Sequence, residues 1–182
     1  GFIVTDAALD PADAQAMLRE SSNLTFNRIV VDGDTSTNDS VFLLANGASG
    51  VQISSAAQKE QFSLALADVC RQLAQAIVRD GEGATKFISL HVTGAPDQES
   101  ALKIANTIGT SPLVKTAFYG GDANWGRIIA AAGRAGVDLQ PEKLTLRYAP
   151  QEDVEGLLLF AEGMPTNYSE AEATALAQAS EI

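Results

Sequence analysis

Between about Ser55 and Asp80 the apolar residues Phe62, Leu66, Val69/Cys70, Leu73 and Ile77 recur every three or four positions, the spacing of one helical face. Gly81 follows, a residue able to take the left-handed conformation that ends a helix. A helix of this length with an apolar stripe must lie against another layer, so the fold has to supply one.

Candidates for that layer begin at the first residues. Phe2, Ile3 and Val4 are β-prone and read as a strand buried from its first position, where most domains fray. Either something upstream was removed or the chain is a piece of something larger. Asp10-Pro11 starts a helix, with Asp10 as cap and Pro11 at the first position, ending near Ser22. Arg28 to Asp32 and Ser40 to Ala45 read as two strands around the polar "DGDTSTND", and Asn46-Gly47 closes the second. Phe87 to Thr93 alternates, with Ile88, Leu90 and Val92 on one face.

A helix is expected from Asp97 to about Gly109. A strand-turn-helix junction follows, with Leu113 to Tyr119 as the strand and Asn124 to about Ala132 as the helix. Strands near Lys143 to Tyr148 and Leu157 to Phe160 precede a last helix, Ser169 to Ser180, where Ser169 and Glu172 have capping-box spacing. Strands and helices mix without strict βαβ regularity, which gives a layered sandwich of α+β or mixed α/β class. Residues 1–93 are expected to form part of one catalytic sandwich core, and 94–182 a second, smaller α+β subdomain.

The formal charge of −11, with twelve scattered Lys and Arg, would repel phosphate backbones, so nucleic acid is not an expected partner. No apolar run is long enough to span a bilayer, so no membrane partner is expected either. Cys70 is the single cysteine, which forbids an internal disulfide and fits a reducing compartment. It falls on the apolar helical stripe, the position of a buried, inert thiol. His91 is the single histidine, on a strand's second face without acidic neighbours at ligand spacing, which argues against a Ser-His-Asp triad or a histidine metal site.

Three segments can carry chemistry. In "IVVDGDTSTND", Asp32 and Asp34 after an apolar run resemble the nucleophile and acid of a Mg²⁺-dependent haloacid-dehalogenase-type phosphatase, although Ser36 stands where Thr or Val is wanted. An EF-hand reading fails at Thr37 and Leu43. The plain alternative is a polar turn whose side chains bond to nearby backbone. In "DGEGATKF" the glycines follow a helix and precede a strand, the reverse of a phosphate loop. It offers Glu82, between two glycines that let a ligand approach closely, or else a helix stop with a solvated carboxylate. In "SPLVKTAFYGGDANWGRI", Asp122 or Asn124 caps a helix and Trp125 anchors packing. Lys115 and Arg127 are either partners for substrate carboxylates or ordinary surface cations.

Together, in this order and preceded by "FIVTDA", these segments closely resemble the ornithine acetyltransferase family, also called glutamate N-acetyltransferases, of arginine biosynthesis. The resemblance covers essentially the whole chain. It implies the layered autoprocessing fold shared with DmpA-like aminopeptidases, in which a precursor cleaves itself between Ala and Thr and the new terminal Thr is the nucleophile. Gly1 then matches the fourth residue of the β chain, so the catalytic Thr is expected three residues before it and no catalytic residue lies within this chain. The oxyanion-hole Thr-Gly pair and a substrate-binding Lys belong to the family's α chain, and further substrate contacts to a tail beyond Ile182.

Of the family's substrate contacts, only Glu82 maps here. The resemblance implies acetyl transfer from N-acetylornithine to glutamate through an acetyl-Thr ester, in the cytoplasm, by an α2β2 heterotetramer with the α chain of the same precursor. It implies no cofactor and no metal, with acetyl-CoA as a possible further acetyl donor. A terminal Thr carries its own base, since an α-amine with a pKa of about 7.7 to 8 accepts the hydroxyl proton at neutral pH. An autoprocessing aminopeptidase would share the architecture but use Ser and pass the acyl group to water.

Overall fold

The structure, a computed structural model, describes residues 1–151 and 154–182. The chain separates into two compact units, Gly1–Gly81 and Glu82–Ile182.

In the first unit, β1 (Phe2–Thr5) leads through α1 (Pro11–Leu24) to β2 (Phe42–Ala45), which runs parallel to β1 with Phe2 opposite Phe42 and Thr5 opposite Ala45. The ladder resumes beyond, where Ala8 bridges Gln52. α2 (Ala56–Arg79) is the long helix the apolar repeat demands. Ser55 caps it through a reciprocal pair, its hydroxyl accepting from Gln58 N–H at 3.3 Å while Gln58 Oε1 accepts from Ser55 N–H at 3.0 Å. Met17 of α1 and Leu66 and Cys70 of α2 form a small core that Ile3, Leu43, Leu9, Phe26 and Phe62 cover. Lys59 and Asp13 join the two helices at 2.7 Å.

The strand expected at Arg28–Asp32 does not form. Phe26–Arg28 closes instead as a 3-10 turn, because Arg28 is tied back to the end of α1: its N–H donates to Thr25 O at 2.9 Å and its Nε to Asn23 O at 3.2 Å.

The second unit contains α3 (Gln98–Gly109), α4 (Pro112–Tyr119), α5 (Trp125–Gly133), β3 (Leu146–Tyr148), β4 (Leu157–Ala161), β5 (Met164–Pro165) and α6 (Glu170–Gln178). The three strands form an antiparallel sheet in chain order, and β4 turns into β5 at Glu162-Gly163, both at positive φ (52° and 78°). Ile104, Ile108, Val114, Phe118, Ile128, Tyr148 and Leu159 are the larger members of its core.

Leu113–Tyr119, expected as a strand, is the helix α4. Pro112 occupies its first turn, and Val114, Ala117 and Phe118, at helical spacing, are its buried residues. Phe87–Thr93 is not a paired strand along its length. Among the described residues the bridge lies at its start, to the chain's last residues, with Phe87 N–H donating to Ser180 O and Ser89 N–H to Ile182 O, both at 2.8 Å. Ile88, Leu90 and Val92 nevertheless pack on the second core. They thus lie with the compact unit Glu82–Ile182.

Candidate functional site

The loop that follows α2 is built by the end of that helix. Asp80 N–H still bonds to Ala76 O at 3.0 Å and Gly81 N–H to Val78 O at 3.3 Å, so the chain leaves the helix through Gly81 and turns at Glu82-Gly83. Gly83 has φ +70°, and a Cβ there would meet nothing within 4 Å. Glu82 is therefore an exposed carboxylate on an open turn with glycine on each side. Lys86, four residues on, is committed elsewhere: its Nζ donates to Ala179 O at 3.0 Å, satisfying a carbonyl where α6 ends. Within "DGEGATKF" the anchoring cation and the offered carboxylate thus have separate tasks.

In "GGDANWGRI", Gly120-Gly121 ends α4, and Gly121 takes φ +66° beside Ala177 and Gln178. Asn124 rather than Asp122 caps α5, its Oδ1 accepting from Arg127 N–H at 3.1 Å. Asp122 instead accepts from Asn124 Nδ2 at 3.0 Å, which orients the capping amide. Trp125 stacks on Phe160 of β4 with ring centroids 5.3 Å apart, the packing role expected of it. Arg127 donates from one terminal nitrogen to Leu113 O (3.0 Å) and Thr116 Oγ1 (3.2 Å), joining α5 to α4. In this chain it is a strut between helices. Lys115 is half-buried on α4.

One feature of this region was not anticipated from the sequence. Tyr148 stacks on Phe118 (5.7 Å), and its phenol is pushed upward by burial, then by the charges of Asp122 and Tyr168. Tyr168 is also shifted upward, by desolvation first and by Glu170 next. Asp122 therefore lies near two phenols that come from β3 and the approach to α6, separations in sequence that no local pattern encodes.

The polar turn reading fits "DGDTSTND". Asp34 N–H donates to Asp32 Oδ1 at 2.8 Å and Asn38 N–H to Ser36 Oγ at 3.1 Å, and residues 31–40 are exposed throughout. The strand whose tip should present Asp32 as a phosphatase nucleophile is not formed. Among the described residues no three of His, Cys, Asp and Glu are grouped closely enough to hold a metal ion. His91 is exposed; Cys70 is fully buried, and burial raises its thiol pKa. Glu82 and "GGDANWGRI" belong to the second unit and "DGDTSTND" to the first.

A mixed α/β chain with a glycine-flanked carboxylate after a long helix, and a capped Gly-Gly-Asp turn opening another, is the class that fold and loops define. The ArgJ family model matches residues 1–182 in full, and the chain belongs to that family. It is 44% identical to the arginine biosynthesis bifunctional protein ArgJ, mitochondrial, of Schizosaccharomyces pombe, over 100% of this chain and 41% of that protein. It is 45% identical to the glutamate N-acetyltransferase of Methanopyrus kandleri, over 100% of this chain and 46% of that protein. The chain thus spans less than half the length of these relatives.

The crystal structure of the arginine biosynthesis bifunctional protein argJ from Bacillus halodurans superposes with a TM-score of 0.90 at 43% identity, covering 99% of this chain and 83% of that one. The layered mixed fold expected from the sequence is the fold of that structure.

Proposed function

We propose that this chain is the β-chain part of an autoprocessed acetyltransferase of arginine biosynthesis that moves the acetyl group of N-acetylornithine to glutamate. The observation that carries the reading is the family match over every residue, with relatives named glutamate N-acetyltransferase at 45% and 48% identity. The two-chain organisation has separate support. The chain fills 83% of the solved Bacillus chain but only 41% to 46% of two full-length relatives, so the solved chain is about half as long as those sequences.

In this reading the hydroxyl of a Thr exposed three residues before Gly1 attacks the acetyl carbonyl, and its own α-amine takes the proton. The amine of ornithine leaves with that proton, and an acetyl-Thr ester remains. Glutamate's amine then attacks the ester, the hydroxyl is restored, and N-acetylglutamate departs. Glu82 binds an ammonium of ornithine, a task suited to an exposed carboxylate with no side chain on either neighbour. The α chain of the same precursor supplies the oxyanion donors, and two such pairs form an α2β2 assembly. The chemistry calls for no cofactor, and acetyl-CoA is a second possible donor. We place the enzyme in the cytoplasm.

The test is intact-mass analysis of the full-length protein mixed with N-acetylornithine alone. The expected result is a β chain beginning at Thr and heavier by one acetyl group, which glutamate discharges as N-acetylglutamate. Discharge to water at the same rate with glutamate present would overturn transfer in favour of hydrolysis.

A further inference from the structure

We propose that Lys86 is a positioning residue for Glu82: by gripping the end of α6 it sets where the carboxylate is presented, and so how strongly the site prefers a substrate that ends in an ammonium. The proposal rests on the reading of Glu82 as the ammonium's partner. It adds a residue that acts on specificity without touching substrate.

The grip is made where α6 needs one. That helix has no basic residue in its last turn, and its C-cap Ala179 is extended (φ −60°, ψ 151°), so no left-handed turn folds back over the final carbonyls. Lys86 supplies the missing donor from 93 residues away. Its half-buried Nζ donates to Ala179 O at 3.0 Å and brings positive charge to the end of the helix toward which the carbonyl dipoles point.

What this does for Glu82 follows from the turn between them. Glu82 is the first residue of the unit Glu82–Ile182, Gly83 has φ +70° with open space around it, and Ala84 and Thr85 are exposed. Such a turn can swing its carboxylate through many directions. Among the described residues, the first side chain after Glu82 to hydrogen-bond another element is that of Lys86. Phe87 follows, its N–H donating to Ser180 O at 2.8 Å and its carbonyl accepting from Ile182 N–H at 3.1 Å. These bonds hold Phe87 itself. The Lys86 bond adds an attachment one residue nearer the turn, and two adjacent attachments fix the direction in which a chain arrives, where one leaves it free.

The test compares, on the full-length enzyme, kcat/KM for N-acetylornithine with that for N-acetylnorleucine, in which a methyl group replaces the terminal ammonium. Both substrates are measured on the same preparation, so the ratio is unmoved by a loss of folded enzyme, even where Lys86→Met folds poorly. Lys86→Met should lower the ratio about tenfold, the scale on which a misplaced binding group is felt. Lys86→Arg, which keeps a cationic donor of similar reach, should stay within about threefold of the unsubstituted enzyme. Added to Glu82→Gln, Lys86→Met should lower the ratio no further, because a residue that acts only through the carboxylate has nothing left to act through.

An unchanged ratio in Lys86→Met would overturn the inference and leave Lys86 as a cap of α6. So would an equal further fall on adding Lys86→Met to Glu82→Gln. An unsubstituted enzyme that treats the two substrates alike removes the reading of Glu82 and this inference with it; a preference kept in both the unsubstituted enzyme and Lys86→Met removes the inference alone.

Discussion

At the scale of the residue, Glu82 is the group on which the proposed function can be tested. Its turn is open, Gly83 has no neighbour within reach of a Cβ, and the nearby Lys86 is engaged with Ala179 O. Replacement by Gln removes a charge without removing packing, so folding stability should move by no more than about 0.5 kcal/mol, the range of an exposed site. A charge-assisted bond to a substrate ammonium is worth about 1.5–3 kcal/mol, which corresponds to roughly a 10- to 100-fold fall in kcat/KM for N-acetylornithine. Steady-state kinetics of the full-length Glu82→Gln enzyme decide between this and a solvated helix stop: unchanged kcat/KM leaves Glu82 no part in substrate binding. Residues with local partners were legible in the sequence. Asp10 accepts from Ala12 N–H at 2.9 Å and Ser169 from Glu172 N–H at 3.3 Å, as their spacing implies. Lys86 and Arg127 were not, because their acceptors lie 93 and up to 14 residues away and a long cation looks alike whether it binds a ligand or a carbonyl.

At the scale of the element, the Gly120-Gly121 turn sets where α4 ends relative to α6. Gly121 has φ +66°, and an added Cβ would sit 3.1 Å from Gln178 Cγ and 3.7 Å from Ala177 O. Gly121→Ala should therefore destabilise the protein by roughly 1–2 kcal/mol, the cost of left-handed backbone for an L-residue, while Gly133→Ala, in α5 with nothing near its Cβ, should be neutral or stabilising. Thermal or denaturant unfolding of the two variants checks this; equal stability would show that the turn tolerates a side chain. Helices were read well wherever a cap and a 3.6-residue repeat coincided, as in α2 and α3. At α4 the apolar run Leu113 to Tyr119 looks like a strand, but Pro112 sets the backbone for a helical first turn. The errors at Arg28–Asp32 and Phe87–Thr93 have another origin. Alternation reports which side chains face a core, as Ile88, Leu90 and Val92 do, but whether a ladder forms depends on a partner strand distant in sequence.

At the scale of the whole molecule, the two units differ in how far each completes its own core. Among the described residues the second buries eleven in one cluster, including Leu159, Tyr148 and Phe118, whereas the cluster of the first consists of Met17, Leu66 and Cys70. The first nevertheless leaves Phe2, Val4, Phe42, Leu44, Leu64, Val69, Leu73 and Ile77 exposed, so its apolar residues outnumber the places this chain provides to bury them. The expectation of a strand buried from its first position thus fails at Phe2 and Val4, and the apolar repeat of α2 leaves Val69, Leu73 and Ile77 partly in water, because side-chain spacing reports a face but not what covers it. Stability scales with apolar surface removed from water. In the separately produced chain, amides of α2 should therefore exchange through openings of lower free energy than those of α3 and α5, despite the greater length of α2. Where the full-length protein covers these apolar residues, the α1, α2 and β1 amides should gain protection while those of α3 and α5 change little. Hydrogen exchange read by mass spectrometry on the two preparations measures both effects. Equal protection of α2 and α5 in the separate chain would mean that the first unit needs no other layer, and its exposed apolar residues would then require a different explanation.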